Sequence, residues 1–167
     1  MKELRLAKGY VVLVDDQDYE RVIGHRWYAE IRTRRDGSVK VYARRKVQTP
    51  GISSTWQSLH RFILNAPDGM QVDHINGKGL DNRRSNLRLC SHAENQHNRR
   101  PQTGGTSAFK GVRWHKAAAK WVASISINGE SKHLGSFSSE QDAAKAYDLA
   151  AAANFGEYAR HNNLAGV

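Results

Sequence analysis

Alternation of apolar and polar positions predicts short β-strands in the first third of the chain. The alternating segments cover residues 10–14, 27–33 and 39–47. The last two flank a polar stretch in which Asp36 and Gly37 supply the positive backbone φ that a tight turn requires. We therefore predict a β-hairpin here, in an N-terminal region made mostly of strands.

A helical period replaces the alternation at residues 56–65. Apolar positions at this spacing are Leu59, Phe62 and Ile63. The pattern predicts a short helix that Asn65 closes. His60 lies beside the apolar face of this helix, where it is either a packed or surface residue or a supporting residue of an active site.

The middle of the chain concentrates polar residues between two short apolar segments. A strand is predicted to end at Asp73 and His74, followed by a polar loop and a second strand over 87–89. Ser91 then opens a helix, because Glu94 stands three residues later as in a capping box. The predicted order is strand, strand, helix.

The last third of the chain predicts a separate small unit. Strands are expected over 111–115, 120–127 and 131–135, with the Asn128-Gly129 pair forming a type I′ turn between the last two. A helix should follow, opened by Ser138 with Gln141 three residues later and closed by Gly156.

The polar, glycine-containing stretch 101–107 lacks apolar periodicity and is predicted to be a linker. The predicted domains are therefore 1–100 and 108–167. The expected fold class is α+β: N-terminal β-hairpins lead into the strand, strand, helix unit, and a three-stranded antiparallel sheet packed on one helix follows.

The charge balance indicates a polyanionic partner. Lys and Arg number 26 against 16 acidic residues, which gives a net charge of +10. This favours salt-dependent binding of nucleic acid, although ribosomal proteins have similar compositions. No apolar run approaches the ~20 residues of a membrane span, and no export signal is recognised. An intracellular, cytoplasmic protein without a membrane partner or a small-molecule cofactor is expected.

Cys90 is the single cysteine of the chain, which excludes intramolecular disulfides and zinc sites built from paired cysteines. Any metal must therefore bind oxygen or nitrogen. Histidine has an unperturbed pKa near ~6.5, so His74 can act as a general base near neutral pH. Asp carboxylates and Asn carbonyls are hard ligands suited to a single Mg²⁺ or Mn²⁺ ion.

The segments VDHINGKGLDNRRSNLR and AENQHNRR resemble the ββα-metal motif of HNH nucleases, most closely phage and intron-encoded homing endonucleases. The resemblance covers about residues 56–100. It implies that His74 is the general base, that Asp73 and Asn95 hold the metal, and that Asn86 orients the base by bonding across the motif. It also suggests residence in a mobile group I intron.

The segments FKGVRWHK and KWVASISINGESKHLGSF resemble an AP2 DNA-binding domain, and the likeness covers residues 107–163. In that family a three-stranded sheet enters the major groove. The resemblance implies DNA contacts from Lys110, Arg113, His115, Ser124, Ser126, Lys132 and His133.

Arginines of the first domain are further candidates for DNA contact, since they are unusually dense along the hairpin and the central loop. A solvated basic face is the alternative interpretation. The candidates are Arg32, Arg34, Arg44, Arg45, Arg83 and Arg84.

Together these features predict a site-specific homing endonuclease that binds double-stranded DNA as a monomer and nicks one strand. One alternative is an AP2-type regulator with an inactive HNH fold. Another is an RNA-binding or ribosome-associated protein, although the chain lacks an aromatic signature of RNA recognition.

Overall fold

The computed structural model describes residues 1–34, 37–49, 51–99 and 104–162. The chain forms two compact units, Met1–Asn95 and Gln96–Val167. The predicted linker is described only from residue 104 onward, and the predicted domain bounds stay predictions. No helix in the described ranges is both long and apolar enough to cross a membrane.

The first unit combines small antiparallel sheets with short helices. Its strands are β1 (Lys2–Arg5), β2 (Val11–Val14), β3 (Tyr28–Thr33), β4 (Val39–Thr49), β5 (Ile52–Ser58), β6 (Gln71–His74) and β7 (Leu87–Cys90). Its helices are α1 (Asp16–Ile23), α2 (Leu59–Leu64) and α3 (His92–His97), the last of which ends in the second unit.

Strands β3, β4 and β5 form one antiparallel sheet in that order. The predicted hairpin is confirmed, with Arg32 opposite Lys40 and Tyr28 opposite Arg44. The predicted turn residue Asp36 lies outside the described residues, while Gly37 has the expected positive φ of 77°. The alternation rule places successive residues of β4 on opposite faces of the sheet.

Strand β1 and two further elements differ from the sequence prediction. Residues 56–58 belong to β5, so the helix predicted within 56–65 begins only at Leu59, and it closes at Asn65 in a left-handed conformation as expected. Helix α1 was not predicted at all. Its buried face consists of Asp18 and Val22, which is too little apolar surface for a helical pattern to stand out in the sequence.

The core of the first unit lies between β2, α1 and α2. Its most buried side chains are Val12, Val14, Val22, Leu59 and Ile63. Strand β2 also meets the loop that follows β6, because the Leu13 amide donates to the Leu80 carbonyl at 2.9 Å and the Asn82 amide donates to Leu13 at 2.8 Å. This core therefore supports the polar loop directly.

The second unit contains the predicted three strands and one helix. They are β8 (Val112–His115), β9 (Lys120–Ile127), β10 (Glu130–Phe137) and α4 (Glu140–Phe155), with the strands ordered β10-β9-β8. The predicted turn at Asn128-Gly129 is confirmed by positive φ values of 52° and 86°.

Helix α4 packs small residues against the sheet, with Ala143, Ala144 and Ala151 fully buried. The predicted helix start is wrong by one position: Ser139, not Ser138, caps α4, and its hydroxyl accepts from the Asp142 amide at 3.3 Å. The Ser138 hydroxyl instead accepts from Lys120 at 2.8 Å. Two adjacent serines made the capping residue ambiguous in sequence.

Candidate active site

Asp73 and His74 end strand β6, which pairs with β7 so that Asp73 lies opposite Arg88 and His74 opposite Leu87. Neighbouring strand residues face opposite ways. Both side chains are buried, with exposed fractions of 7% for Asp73 and 6% for His74. The two residues therefore meet different surroundings although they are adjacent in sequence.

The Asp73 carboxylate is bound by Arg88 from the facing strand. Arg88 donates from Nη2 and Nε to Asp73 Oδ2, at 2.7 and 3.1 Å. Both side chains of this ion pair are less than a tenth exposed. A buried carboxylate needs such compensation, and Arg88 provides it in the described structure.

His74 contacts two aromatic side chains from other elements of the first unit. The His60 ring, from α2, lies edge-on with its centroid 5.0 Å away, and the Tyr42 ring, from β4, lies at 5.9 Å. Burial lowers the pKa of His74, while an interaction with the Asn82 side chain and the charge of Asp73 oppose that shift. The result is an imidazole held neutral near pH 7.

His60 is held neutral even more strongly, because burial, the neighbouring His74 and two arginines lower its pKa to about 3. Burial also raises the pKa of the Tyr42 hydroxyl, which therefore stays protonated. Sequence reasoning left the role of His60 open and missed Tyr42. Strand alternation alone could place Tyr42 on a face of the hairpin but could not reveal which residue that face meets.

Asn86 holds the loop that follows His74. Its Oδ1 accepts from the Asn76 amide at 2.9 Å, and its Nδ2 donates to the Asp81 carbonyl at 2.8 Å. Its own carbonyl accepts from the Ile75 amide at 2.9 Å. The side chain of this buried residue thus binds both ends of the loop through backbone groups.

Asn95 is placed against β6 by a side-chain hydrogen bond. Its Nδ2 donates to Gln71 Oε1 at 2.6 Å. Gln71 and Asp73 are two residues apart on one strand and therefore share a face. Since the Asn95 nitrogen is engaged by Gln71, its oxygen is the atom suited to bind a cation.

The two predicted ligands, Asp73 and Asn95, carry a carboxylate and an amide oxygen, which are the donor types that a hard divalent cation prefers. Across the described ranges, no group of three or more His, Cys, Asp and Glu side chains is arranged to hold a metal ion. A site with only two protein ligands is compatible with this, since water and substrate phosphate oxygens complete the octahedron around Mg²⁺.

The arginines predicted to contact DNA occupy several different environments. Arg32 lies 5.2 Å from the centre of the Tyr42 ring and pairs with Glu30 at 3.0 Å, close to the histidine pair. The Arg34 amide donates to the Ser38 carbonyl at the hairpin turn, at 2.8 Å. Arg32 thus lies beside the Tyr42 ring, whereas Arg34 lies at the hairpin turn.

Arg44 and Arg45 lie on opposite faces of β4. Arg44 pairs with Glu30 at 3.2 Å, and its guanidinium lies 4.1 Å from the centre of the half-exposed Trp56 ring. Arg45 instead packs on the core ring of Phe62 at 4.4 Å and bonds to Gln57 at 2.9 Å. The structure therefore gives Arg45 packing contacts on the inner face of the sheet.

Arg83 and Arg84 both form two-pronged pairs with carboxylates. Arg83 binds Asp81 at 2.8 and 2.7 Å. Arg84 binds Asp18 of α1 at 2.7 and 2.8 Å, and this carboxylate is 2% exposed. Arg84 thereby ties α1 to the polar loop across 66 residues of sequence.

In the second unit, most predicted DNA contacts share the sheet face opposite α4. Strand pairing places Arg113 opposite Val122 and Ser124 opposite His133. Because side chains alternate between the two faces of a strand, His115 and Ser126 lie on this same face.

Lys132 and Lys110 are placed differently from this group. Lys132 pairs with Ile125, a core residue, and so belongs to the face that carries α4. The Lys110 ammonium donates to the His97 carbonyl, and burial lowers its pKa to about 8. Lys110 therefore has a structural contact within the second unit.

The central segment of the chain is similar to a known protein family. Residues 65–97 match the family model of HNH endonucleases. This segment contains β6, β7 and α3, and with them Asp73, His74, Asn86 and Asn95. The segment is thus similar to HNH endonucleases, a family whose members generally use a divalent metal.

Two curated relatives extend the likeness. An uncharacterized HNH endonuclease of Acanthamoeba polyphaga mimivirus is 35% identical over 112 residues, which cover 64% of this chain and 57% of the relative. Protein 3.8 of Escherichia phage T7 is 33% identical over 70 residues, 42% of this chain and 58% of the relative. The chain thus spans less than two thirds of these relatives. No solved structure matches it.

Proposed function

We propose that this protein is a homing-type HNH endonuclease that hydrolyses phosphodiester bonds in double-stranded DNA with one divalent cation, Mg²⁺ or Mn²⁺. The observation that carries the proposal is that a neutral, buried His74 stands next to Asp73 at the end of β6, where the Asp73 charge acts on its imidazole, within the segment that matches the HNH family. A base and a metal ligand are the minimal requirements of this chemistry.

His74 is the proposed general base. A neutral imidazole can take a proton from the attacking water as the water oxygen bonds to phosphorus and the bond to the 3′ oxygen breaks. The lowered pKa keeps the accepting form populated at neutral pH. His60 and Tyr42 are proposed positioning residues, because their rings pack beside the His74 ring and against each other.

Asp73 and Asn95 are the proposed metal ligands, on the face of β6 that also carries Gln71. A bound divalent cation would stabilise negative charge on the scissile phosphate and on the departing 3′ oxygen. Arg88 holds the Asp73 carboxylate in place through Oδ2. Gln71 orients the Asn95 amide so that its oxygen is the ligating atom.

Asn86 is proposed to act on the base indirectly. Its hydrogen bonds to Asn76 and Asp81 fix the loop that leaves His74. A fixed loop keeps the imidazole in one orientation relative to the phosphate, and orientation is a large part of catalysis.

The DNA is proposed to be held by the basic sheet of the first unit and by the AP2-like sheet face of the second. A protein that binds as a monomer with one such site would cut one strand. The chain would then produce a nick rather than a double-strand break.

Supercoiled plasmid carrying randomised inserts tests this proposal, with Mg²⁺, Mn²⁺ or EDTA in parallel. Metal-dependent open circles are expected, with the rate reduced about 10²–10⁴-fold in His74→Ala. His161→Ala is the matched control, since His161 is an exposed histidine of the second unit. Plasmid that is bound in gel shift but never cut would favour the binding-only regulator, and linear product would point to paired cutting.

A further inference from the structure

Two exposed aromatic side chains stand side by side on the sheet of the first unit. Tyr28 on β3 is 38% exposed and Trp56 on β5 is 49% exposed. Their ring centroids are 5.8 Å apart and the rings meet edge to face. Adjacent exposed apolar side chains mark a binding site more often than a single exposed side chain does.

Cationic side chains surround this aromatic pair. The Arg26 guanidinium lies 5.3 Å from the centre of the Tyr28 ring, and Arg44 lies 4.1 Å from that of Trp56. Lys46 is exposed and directly opposite Trp56 in the strand pairing. Within the described residues of β3, β4 and β5, the acidic side chain is Glu30, which Arg32 and Arg44 bind at 3.0 and 3.2 Å.

The aromatic pair shares a sheet face with the candidate active site. Tyr28 lies opposite Arg44, and Tyr42, whose ring contacts His74, is two residues before Arg44 on the same strand. At ~3.3 Å per strand residue, Tyr42 is roughly 7 Å from the level of Tyr28 and roughly 13 Å from that of Trp56. With ~3.4 Å per nucleotide along one strand, this corresponds to roughly two to four nucleotides.

We infer that Tyr28 and Trp56 form a stacking platform for unpaired bases of the DNA substrate, a few nucleotides from the phosphate at His74. The inference rests on the proposed function and specifies the substrate. Aromatic rings set among cations bind single-stranded segments by stacking on bases while the cations contact phosphates. In an intact duplex the faces of the bases are covered by their neighbours, so the platform selects DNA that is locally melted or single-stranded.

The test measures binding in EDTA, where no cleavage interferes. The full chain with His74→Ala is titrated into labelled 30-base-pair DNA, either fully paired or with a central three-nucleotide bubble, at one salt concentration. Adding Trp56→Ala or Tyr28→Ala should weaken binding to the bubble DNA about 5–100-fold and change binding to the paired duplex less than twofold. Trp56→Phe keeps a ring and should retain most of the bubble affinity.

Leu149→Ala is the control, because Leu149 is a 74% exposed apolar residue of α4 in the second unit, and it should leave both affinities unchanged. Equal weakening for paired and bubble DNA, or no weakening for either, would overturn the platform. Because binding is measured without chemistry, a failure to cleave any DNA counts against the proposed nuclease alone. If the protein cleaves DNA but Trp56→Ala leaves the preference for bubble DNA unchanged, the result counts against the platform alone.

Discussion

The His60 ring lies edge-on against the His74 ring, with the two centroids 5.0 Å apart. Burial disfavours a positive charge on both imidazoles, and the neighbouring His74 disfavours it further on His60. The contact between His60 and His74 thus links the stability of the first unit to the protonation state of the candidate base.

His60 should make the protein sensitive to acid. Burial and neighbouring charges lower its pKa to about 3 in the folded state, against ~6.5 in the unfolded chain. The free energy of unfolding is therefore not reduced by His60 above pH ~6.5, and it falls as the pH drops from there toward 3. Between pH 6.5 and 5 the free energy of unfolding should drop by about 2 kcal/mol.

Urea denaturation at pH 7.5, 6 and 5 measures this effect. His60→Leu should have a shallower dependence on pH than the unmodified chain, with His161→Leu as the exposed control. Identical slopes for His60→Leu and the unmodified chain would show that His60 does not carry the acid sensitivity.

The cleavage rate should remain high at mildly acidic pH. The neutral imidazole of His74 is the active form, and burial lowers its pKa. The rate should therefore stay level as the pH falls through ~6.5 and decline only below it. Single-turnover rates at saturating Mg²⁺ over pH 5–8 measure the profile, and a decline that begins at pH 7 or above would contradict it.

Asn86→Ala should lower kcat more than it raises KM for DNA. The substitution removes the acceptor of the Asn76 amide and the donor to the Asp81 carbonyl, while no DNA contact is assigned to Asn86. Leaving these backbone groups without their partner should also cost about 1–3 kcal/mol of stability. Steady-state kinetics with a thermal unfolding control separates the two effects, and a change confined to KM would assign Asn86 to substrate binding instead.

Arg84→Ala should destabilise the first unit by about 2–4 kcal/mol, because it leaves the buried Asp18 carboxylate with a weaker partner, Arg21 at 3.4 Å. Arg83→Ala is the matched control, since its partner Asp81 also accepts from Asn76 at 2.8 Å. Denaturant unfolding compares the two variants. Equal stability with selectively weaker DNA binding in Arg84→Ala would return Arg84 to the DNA interface.

Arg88→Gln should tighten Mn²⁺ binding, because it removes a positive charge from the carboxylate proposed to hold the cation. Asp73→Asn should abolish the same binding. Mn²⁺ titration followed by electron paramagnetic resonance measures both variants without DNA cleavage. Unchanged Mn²⁺ affinity in both variants would remove Asp73 from the proposed metal site.

Local sequence signals predicted the elements that position the candidate site. Asp73 and His74 end a strand as expected, and Ser91 caps α3 through reciprocal bonds with Glu94 at 2.7 and 3.2 Å. These features depend on residues within a few positions of each other. The roles of the four proposed site residues stay predictions.

Contacts between distant parts of the chain could not be predicted in this way. Tyr42, His60 and His74 converge from three elements, and the Arg84 pair with Asp18 spans 66 residues. Arg44 and Arg45 illustrate a different failure, because strand alternation already placed them on opposite faces. The sequence prediction grouped Arg44 with Arg45 because both belong to a dense basic segment, although their environments differ.

Gly79 has a consequence for attempts to move the nuclease segment into another protein. A Cβ atom at this position would lie 2.5 Å from the Val41 carbonyl and 2.6 Å from the Tyr42 ring. The loop of the family segment is thus fitted to β4, and it is also bonded to β2 through Leu13. A transplant cut at residue 65 would lose both surfaces, so a graft of the segment has to include β2 and β4 together with it.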